Sequence, residues 1–325
     1  MTPPAVPAIT LRNGLKLPTI GLGTWKISSH EASDQVYQAI KDGYRLFDCA
    51  CDYGNESEVG AGIARAISEG LVTRSDLFVT SKLWCTYHRR EHVEPALRRT
   101  LHDLGLDYVD LYLVHFPIAL KHVPMDQRYP PEWSFEVGGP VVPDNVPYQE
   151  TWQAMECLYD KGLAKNIGIS NMPGALIYDV LSYARVRPAV LQIELHPYLA
   201  REQLVALAHS EGIAVTAYSS FGETSYRELG SAPTGPEFTP LLNHDVVAAI
   251  AAGYDKTPAQ VLLRWAVDRG CAIIPKSSRP ERMRQNLDIF DFALTDDEVQ
   301  RISALDRNLR FNDPANYAMR AIWAS

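Results

Sequence analysis

Short apolar segments alternate with longer amphipathic segments along almost the whole of this 325-residue chain. The apolar segments, which are typical of buried strands, lie at 18–23, 44–48, 77–82, 108–114, 164–169, 189–194, 213–218 and 271–274. The segments between them predict helices, and many of these end at a glycine, as at Gly43, Gly105 and Gly212. Strands that alternate with helices predict a parallel sheet. Eight such units favour a single (β/α)8 barrel, the TIM barrel, and an open doubly wound sheet is the alternative.

Three further segments modify this barrel. Residues 9–17 predict a small N-terminal β-hairpin around Asn13-Gly14, which would cap the barrel. Residues 117–147 and 219–240 are rich in proline or glycine and are too long for simple turns. Both follow strands, so we expect long loops on the C-terminal face, where barrels carry their active sites. No linker interrupts the pattern, and residues 1–325 are therefore expected to form one domain.

Charge and hydropathy exclude several classes of protein. The net charge of −8 argues against a nucleic-acid partner, and the absence of a run of about 18 apolar residues argues against a membrane span. The N-terminus lacks the basic and apolar regions of a signal peptide, and five scattered cysteines suit a reducing compartment. We therefore expect a cytoplasmic protein. No metal site is expected, because histidines and carboxylates at ligand spacing do not occur.

Polar or ionisable residues end all eight predicted strands, although the strand interiors are aliphatic. These residues are Gly23, Thr24, Trp25, Asp48, Lys82, His115, Ser170, Asn171, Gln192, Tyr218, Ser219, Lys276 and Ser277. Burying so many polar groups at one edge of a sheet without a function would be costly. The sequence therefore predicts an active site at this edge.

Asp48, Lys82 and Tyr53 are the candidates for the reacting groups. Two neighbouring parallel strands would present Asp48 and Lys82 at the same end, with Tyr53 in the loop above them. A nearby cation favours the phenolate, so we expect Lys82 to lower the pKa of Tyr53 from its ordinary value of about 10. Asp48 would keep the lysine charged and oriented. The three residues are thus predicted to donate a proton to a substrate oxygen.

A basic turn after the last strand is the candidate nucleotide site. It runs from Lys276 to Arg282 and opens a helix at Pro280, where barrels often bind phosphate. Lys276 and Arg282 could clamp a phosphate monoester, although a solvated basic loop would have the same composition. The Gly21 and Gly60 segments fail as dinucleotide fingerprints, because the first lacks a third glycine and the second falls inside a predicted helix.

Motifs along the whole chain resemble those of the aldo-keto reductase superfamily. They are Gly43-Tyr-Arg-Leu-Phe-Asp48, Tyr53-Gly-Asn-Glu56, Thr80-Ser-Lys82, Leu113-Val-His115, Gly168-Ile-Ser-Asn171 and Ile274-Pro-Lys-Ser277. A closer resemblance to fungal D-xylose reductases rests on further motifs. These are His115-Phe-Pro-Ile118, Tyr129-Pro-Pro131, His196-Pro-Tyr-Leu199, Tyr218-Ser-Ser-Phe-Gly222 and Arg310-Phe-Asn-Asp-Pro314. The last motif carries most weight, because it lies in the variable C-terminal tail.

The resemblance implies a role for each site residue. Tyr53 would be the general acid, tuned by Lys82 and Asp48, and His115 would orient the carbonyl. The implied coenzyme-binding residues are Gly23, Thr24, Ser170, Asn171, Gln192, Tyr218, Ser219, Ser220, Glu228, Lys276, Ser277, Ser278, Arg282 and Asn286. The implied substrate-binding residues are Trp25, Asp52, His115, Phe116, Phe221 and Asn312. Among these, Tyr218 would stack on the nicotinamide and Arg282 would bind the 2′-phosphate.

The resemblance also implies NADPH-dependent reduction of an aldose, D-xylose to xylitol, with L-arabinose as a further substrate. NADH stays open as a second coenzyme, because Ser278 stands where these reductases commonly have Asn. Leu195 is a further departure from the pattern, since it replaces a frequent His beside His196. The alternatives are a reductase of another aldehyde or sugar acid, such as glyceraldehyde or D-galacturonate, and a non-catalytic coenzyme-binding subunit. The protein would be a monomer or a homodimer.

Overall fold

The computed structural model describes residues 6–316 except 231, 234 and 236, and its centre is one parallel sheet of eight strands. The strands are β3 (Leu22–Gly23), β4 (Leu46–Asp48), β5 (Phe78–Leu83), β6 (Leu111–Val114), β7 (Ile167–Ser170), β8 (Val190–Glu194), β9 (Ala214–Tyr218) and β10 (Cys271–Ile273). Their order in the sheet follows their order in the sequence, and all seven pairings are parallel. A doubly wound sheet would reverse this order at one point. That alternative is therefore wrong.

The sheet curls until its first and last strands approach each other. Ile20, just before β3, forms a parallel bridge with Ile273 of β10. The amide of Gly21 donates to the carbonyl of Ile273 at 2.9 Å. A Cβ atom at Gly23 would lie 2.6 Å from the carbonyl oxygen of Ile274, so only glycine fits this approach.

Helices separate the strands, as the alternation predicts. They are α1 (Ser29–Asp42), α2 (Glu56–Ser68), α3 (Arg90–Leu104), α4 (Tyr148–Asp160), α5 (Gly174–Tyr183), α6 (Glu202–Ser210), α7 (Asp245–Gly253), α8 (Pro258–Asp268), α9 (Pro280–Leu287) and α10 (Asp296–Ser303). Gly60 lies inside α2, where a Cβ atom would come within 2.4 Å of the carbonyl of Leu104. This glycine lets α2 pack closely against the end of α3. In the part of the chain that the structure describes, no helix combines the length and the apolar character that a bilayer crossing requires.

The predicted N-terminal hairpin is confirmed and lies at the opposite end of the sheet from the polar strand ends. Its strands are β1 (Ala8–Thr10) and β2 (Lys16–Pro18). The buried side chains of Leu11 and Leu17 belong to a cluster with Leu46, Phe78 and Leu111, the first residues of β4, β5 and β6. The hairpin therefore covers the N-terminal ends of the strands.

Two helical segments differ from the sequence expectation. The helical segment predicted after the loop at 219–240 begins as a 3₁₀ turn at Leu241–Asn243, and α7 starts only at Asp245. The chain bends between them because His244 acts as the N-cap and accepts the amide of Val246. Helix α10 was not anticipated, although Thr295 and Glu298 form a capping box at its start.

Candidate active site

A buried lysine joins the groups at the polar end of the sheet. Lys82, in β5, is fully buried, and its Nζ donates to Asp48 Oδ1 at 2.6 Å and to the carbonyl of Cys49 at 2.8 Å. The third hydrogen bond of Nζ goes to Tyr53 Oη at 3.0 Å. An ammonium has three donors, so all of them are used. Tyr53 ends a 3₁₀ turn at Cys51–Tyr53, directly after β4.

Asp48 is held on both of its oxygens. Oδ1 accepts from Lys82, and Oδ2 accepts from the side-chain amide of Gln192 in β8 at 2.6 Å. Thr24 Oγ1 donates to the backbone carbonyl of Asp48 at 2.9 Å, which ties the end of β3 to β4. The carboxylate is thereby fixed against the lysine. Breaking such a buried pair is strongly destabilising, because one charge would remain uncompensated.

The expected direction of the Tyr53 pKa is wrong. Burial raises the pKa of this phenol well above its ordinary value, and the negative charges of Asp48 and Asp52 raise it further. The sequence could identify the neighbouring cation, but not the burial that outweighs it. The phenol therefore keeps its proton throughout the neutral pH range, as a proton donor must before it acts.

His115 follows β6 and faces Tyr53, with ring centroids 5.9 Å apart and edge-to-face geometry. Burial lowers the pKa of His115 well below its ordinary value, and the positive charge of Lys82 lowers it further. The imidazole is therefore neutral at physiological pH. Its Nδ1 is buried and has no hydrogen-bond partner within the described residues, which leaves Nε2 as the ring nitrogen available to a ligand.

One cavity of about 890 Å³ brings most of the expected site residues together. Those that line it are Gly23, Trp25, Asp48, Asp52, Tyr53, His115, Phe116, Asn171, Gln192, Tyr218, Ser219, Ser220, Phe221, Glu228, Lys276, Ser277, Ser278, Arg282, Asn286 and Asn312. Three expected residues do not line it, and each lies behind the wall. Thr24 and Lys82 bond to Asp48 as described, and Ser170 Oγ donates to the carbonyl of Gln192 at 2.9 Å.

Asn171 and Tyr218 form the middle of the cavity wall. Asn171 has a left-handed backbone, with φ of 55°, and its side-chain amide donates to the carbonyl of His115 at 2.9 Å. Tyr218 Oη donates to Asn171 Oδ1 at 2.6 Å and accepts from the amide of Asn312 at 2.9 Å. The ring of Tyr218 is therefore held in place on its hydroxyl side.

A basic end of the cavity lies at the start of α9. Lys276, Arg279 and Arg282 are exposed, and none of them makes an ion pair with another described residue, whereas Arg284 of the same helix pairs with Asp42. Ser277 Oγ accepts the amide of Arg279 at 3.2 Å, which shapes the turn before the helix. Unpaired cations at a helix N-terminus are a suitable binding set for a phosphate group. The residues present thus fit the adenosine-phosphate end of a dinucleotide.

Aromatic residues near His115 were missed from the sequence. The rings of Trp84 and His115 are 5.1 Å apart, and those of Trp84 and Trp133 are 4.7 Å apart. Trp133 lies in the long loop at 117–147. A hydrogen bond from Trp84 Nε1 to the carbonyl of Glu132, at 2.7 Å, holds this part of the loop against Trp84. No periodicity marks Trp133 in the sequence. Trp84 could have been found, since it directly follows β5.

Asp52 is another ionisable group in the wall of this cavity. Burial raises its pKa from 3.8 to about 7, and the negative charge of Glu132 adds to the shift. The side chain therefore changes between a hydrogen-bond donor and a pure acceptor close to neutral pH. The described residues contain no group of three or more side chains that could hold a metal ion.

Comparison with known proteins identifies relatives of this chain. A model of the aldo/keto reductase family matches residues 19–307. A protein of Emericella nidulans, named probable NAD(P)H-dependent D-xylose reductase xyl1, is 56% identical over 313 residues, which are 96% of this chain and 98% of that protein. The NAD(P)H-dependent D-xylose reductase xyl1 of Aspergillus niger is 53% identical over 317 residues, 98% of this chain and 99% of that protein.

Solved structures have the same fold. The crystal structure of Bombyx mori aldo-keto reductase AKR2E4 in complex with NADP has a TM-score of 0.86 and 42% identity, and the match covers 97% of each chain. The aldose reductase from Schistosoma japonicum has a TM-score of 0.83 and 39% identity, with 93% of each chain covered.

Proposed function

This chain belongs to the aldo/keto reductase family, and from that premise we propose that it is an NAD(P)H-dependent reductase of open-chain aldoses. The proposed reaction converts D-xylose to xylitol, with L-arabinose as a second substrate. The observation that carries the proposal is the contact of one buried ammonium, Lys82 Nζ, with both Asp48 and Tyr53 at the floor of the cavity. The names of the fungal relatives support the choice of sugar.

The coenzyme is proposed to lie along the cavity from the basic end to Tyr218. Lys276 and Arg282 would hold the phosphate that distinguishes NADPH from NADH, and Asn286 would reach the adenine. Tyr218 would face the nicotinamide, which supplies a hydride to the carbonyl carbon when it is bound. Glu228, at the cavity edge, would bind ribose hydroxyls when NADH is the coenzyme.

Tyr53 is proposed to supply the proton. Its hydroxyl would give its hydrogen to the carbonyl oxygen, and the phenolate that remains would be stabilised by the hydrogen bond from Lys82 Nζ. Because Asp48, which is itself held by Gln192, fixes Lys82, this charge is already in place before the reaction begins. The neutral His115 would hold the same carbonyl oxygen with an N–H and would not compete as the acid.

The sugar hydroxyls would be bound by polar groups set into an aromatic wall. Asp52 and Asn312 provide donors and acceptors, and Trp25, Phe116 and Phe221 line the same cavity. A site built for hydroxyls discriminates against substrates without them, because its polar groups are then left unpaired. Asp52, which is partly ionised near neutral pH, would repel the carboxylate of a sugar acid, and this argues against D-galacturonate as the preferred substrate.

The test is coenzyme oxidation with D-xylose, L-arabinose, D-galacturonate and glyceraldehyde, each with NADPH and with NADH. We expect turnover of both pentoses and a much lower kcat/KM for D-galacturonate. Coenzyme binding without turnover of any aldehyde would instead support the non-catalytic subunit. A preference for D-galacturonate would favour the sugar-acid reductase.

We also propose that the curled sheet closes into a complete (β/α)8 barrel and that residues 1–325 form one domain. The bridge between Ile20 and Ile273 supports closure. A cytoplasmic monomer or homodimer acting on small molecules fits the net charge of −8, and sedimentation analysis would distinguish the two assemblies.

A further inference from the structure

A buried glutamate connects the end of β8 to the C-terminal segment of the chain. Glu194 is the last residue of β8, and its side chain is completely buried. Oε1 accepts the backbone amide of Phe311 at 2.8 Å, and Oε2 accepts the amide of Asn312 at 3.1 Å. His196 Nε2 donates to Oε1 at 3.0 Å. Both oxygens are therefore occupied by donors, two of which come from residues more than 100 positions away.

The charge of Glu194 is compensated within this cluster. Burial alone would raise its pKa, but the hydrogen bonds from His196 and the Phe311 amide, with the positive charge of Arg310, hold the pKa below its ordinary value. The carboxylate is thus ionised although it is out of water. Hydrogen bonds to a buried anion are about twice as strong as neutral ones, so the Phe311–Asn312 backbone is firmly held.

Hydrogen bonds connect the segment that Glu194 holds with the backbone of His115. The side-chain amide of Asn312 donates to Tyr218 Oη at 2.9 Å, and Tyr218 Oη donates to Asn171 Oδ1 at 2.6 Å. Asn171 then donates to the backbone carbonyl of His115 at 2.9 Å. Phe311 is fully buried beside His196, with ring centroids 5.0 Å apart, which fixes the segment from its other side.

We propose that Glu194 is a positioning residue for sugar recognition. By holding the amides of Phe311 and Asn312, it fixes the Asn312 side chain at the cavity wall, where sugar hydroxyls would bind. This inference rests on the proposed function. A polyhydroxy aldehyde depends on the position of Asn312, whereas an aldehyde without further hydroxyls needs only Tyr53, His115 and the coenzyme. Glu194 therefore determines how strongly the enzyme prefers sugars to simple aldehydes.

The test compares D-xylose with propanal in Glu194→Gln. Glutamine has one acceptor oxygen, so it can hold only one of the two amides, and its NH₂ group would oppose the other. The loss of a charged hydrogen bond predicts a KM for D-xylose about 10-fold higher. Tyr218 keeps its hydrogen bond to Asn171, and Glu194 makes no hydrogen bond to Tyr53, Lys82 or His115, so kcat and the KM for propanal should stay within about twofold of the wild type.

The matched control is Glu156→Gln. Glu156 is also a buried glutamate that accepts a distant backbone amide, that of Val186 at 2.8 Å, but it lies on α4 away from the cavity. This variant should leave the ratio of kcat/KM for D-xylose to that for propanal unchanged. A parallel loss with both substrates in Glu194→Gln, or no change with either, would overturn the positioning role.

Two outcomes separate this inference from the proposed function. If the wild type reduces neither aldehyde, the proposed function fails. If it reduces both and the ratio is unchanged in Glu194→Gln, only the positioning role fails. Should the variant not fold, amide hydrogen exchange in the wild type still decides: the amides of Phe311 and Asn312 must exchange as slowly as strand amides. Exchange as fast as that of an unstructured peptide would refute the role.

Discussion

The two ends of the cavity hold their charges in opposite ways. At the buried end, formed by Asp48, Tyr53, Lys82 and His115, the lysine and the aspartate are out of water and bonded to each other. At the basic end, the cationic side chains before and at the start of α9 are exposed and unpaired within the described residues. The first arrangement suits groups that must be in place before a reaction begins. The second suits recognition of an anion that arrives from solution.

This difference predicts at which end of the cavity a substitution lowers activity or stability most. A change at the buried end disturbs partners that have no access to water, so it should affect kcat or folding strongly. At the basic end, a change removes only an interaction with the ligand, and its effect should depend on which coenzyme is used and on salt. The following four substitutions test the contrast.

Tyr53→Phe should have the largest effect. It removes the proton donor but keeps the ring, and kcat with D-xylose should fall by ~10²–10⁴-fold, the usual contribution of a positioned acid. NADPH affinity, measured by fluorescence titration, should change little. The control is Tyr148→Phe, because the Tyr148 hydroxyl is also buried but has no hydrogen-bond partner among the described residues. A Tyr53→Phe enzyme with near wild-type kcat would remove Tyr53 from this role.

Glu56→Gln tests the cost of burial behind Lys82. Glu56 is buried and accepts from Ser81 Oγ at 2.6 Å and Thr100 Oγ1 at 3.0 Å, and burial raises its pKa from 4.5 to about 7. Between these values the folded protein holds a proton that the unfolded chain has lost, so stability falls as pH rises. The shift in the pKa of Glu56 corresponds to a decrease on the order of 3 kcal/mol in the free energy of unfolding by pH 8.

The glutamine variant has no such proton to lose. The difference in the free energy of unfolding, Glu56→Gln minus wild type, should therefore be more positive at pH 8 than at pH 5. Urea denaturation of both proteins at both pH values measures this difference. Glu69→Gln is the control, because hydrogen bonds from Tyr37 and Arg65 lower the pKa of Glu69, so its titration lies below pH 5 and its difference from the wild type should not change between pH 5 and pH 8. A pH-independent difference between wild type and Glu56→Gln would contradict the argument.

Arg282→Ala should raise the KM for NADPH by about 10- to 100-fold, because a hydrogen bond between charged groups contributes about 1.5–3 kcal/mol. The KM for NADH, which lacks the 2′-phosphate, should hardly change. Arg284→Ala is the control, since Arg284 lies on the same helix but pairs with Asp42 at 3.7 Å. Equal effects on both coenzymes would show that Arg282 does not contact the phosphate.

Lys26→Met should have the smallest effect. Lys26 Nζ donates to the carbonyl of Ser225 at 2.7 Å and lies 3.5 Å from Glu228, whose side chain is 84% exposed. Exposed ion pairs are weak, so the KM for either coenzyme should change by only about two- to threefold. A 50-fold change would mean that the loop at 219–240 holds the coenzyme as strongly as the basic end does.

The strand-end residues could be predicted because they depend on local order in the sequence. A short apolar run locates each strand, and the next polar residue must lie at the rim, as Asp48, Lys82 and His115 do. The consecutive strand order also follows from the regular alternation with helices. These features need no knowledge of which distant segments meet.

The remaining features depend on contacts between distant segments. Glu194 meets Phe311 across 117 positions, and nothing near either residue indicates the other. Trp133 reaches the cavity through an irregular loop that is bonded to Trp84. The pKa of Tyr53 depends on how completely the folded protein excludes water from its hydroxyl. The one available signal for Glu194 was a carboxylate at the end of a strand that is aliphatic apart from Gln192.

The hairpin β1–β2 has a practical consequence for work with this enzyme. It places the start of the described chain beneath the strands, on the side away from Tyr53, whereas Asn312 lines the cavity and Phe311 is buried beside it in the sequence. An affinity tag or a surface attachment at the N-terminus would therefore leave aldehyde access free. A fusion at the C-terminus would instead follow, in the sequence, the segment that Glu194 holds at the cavity.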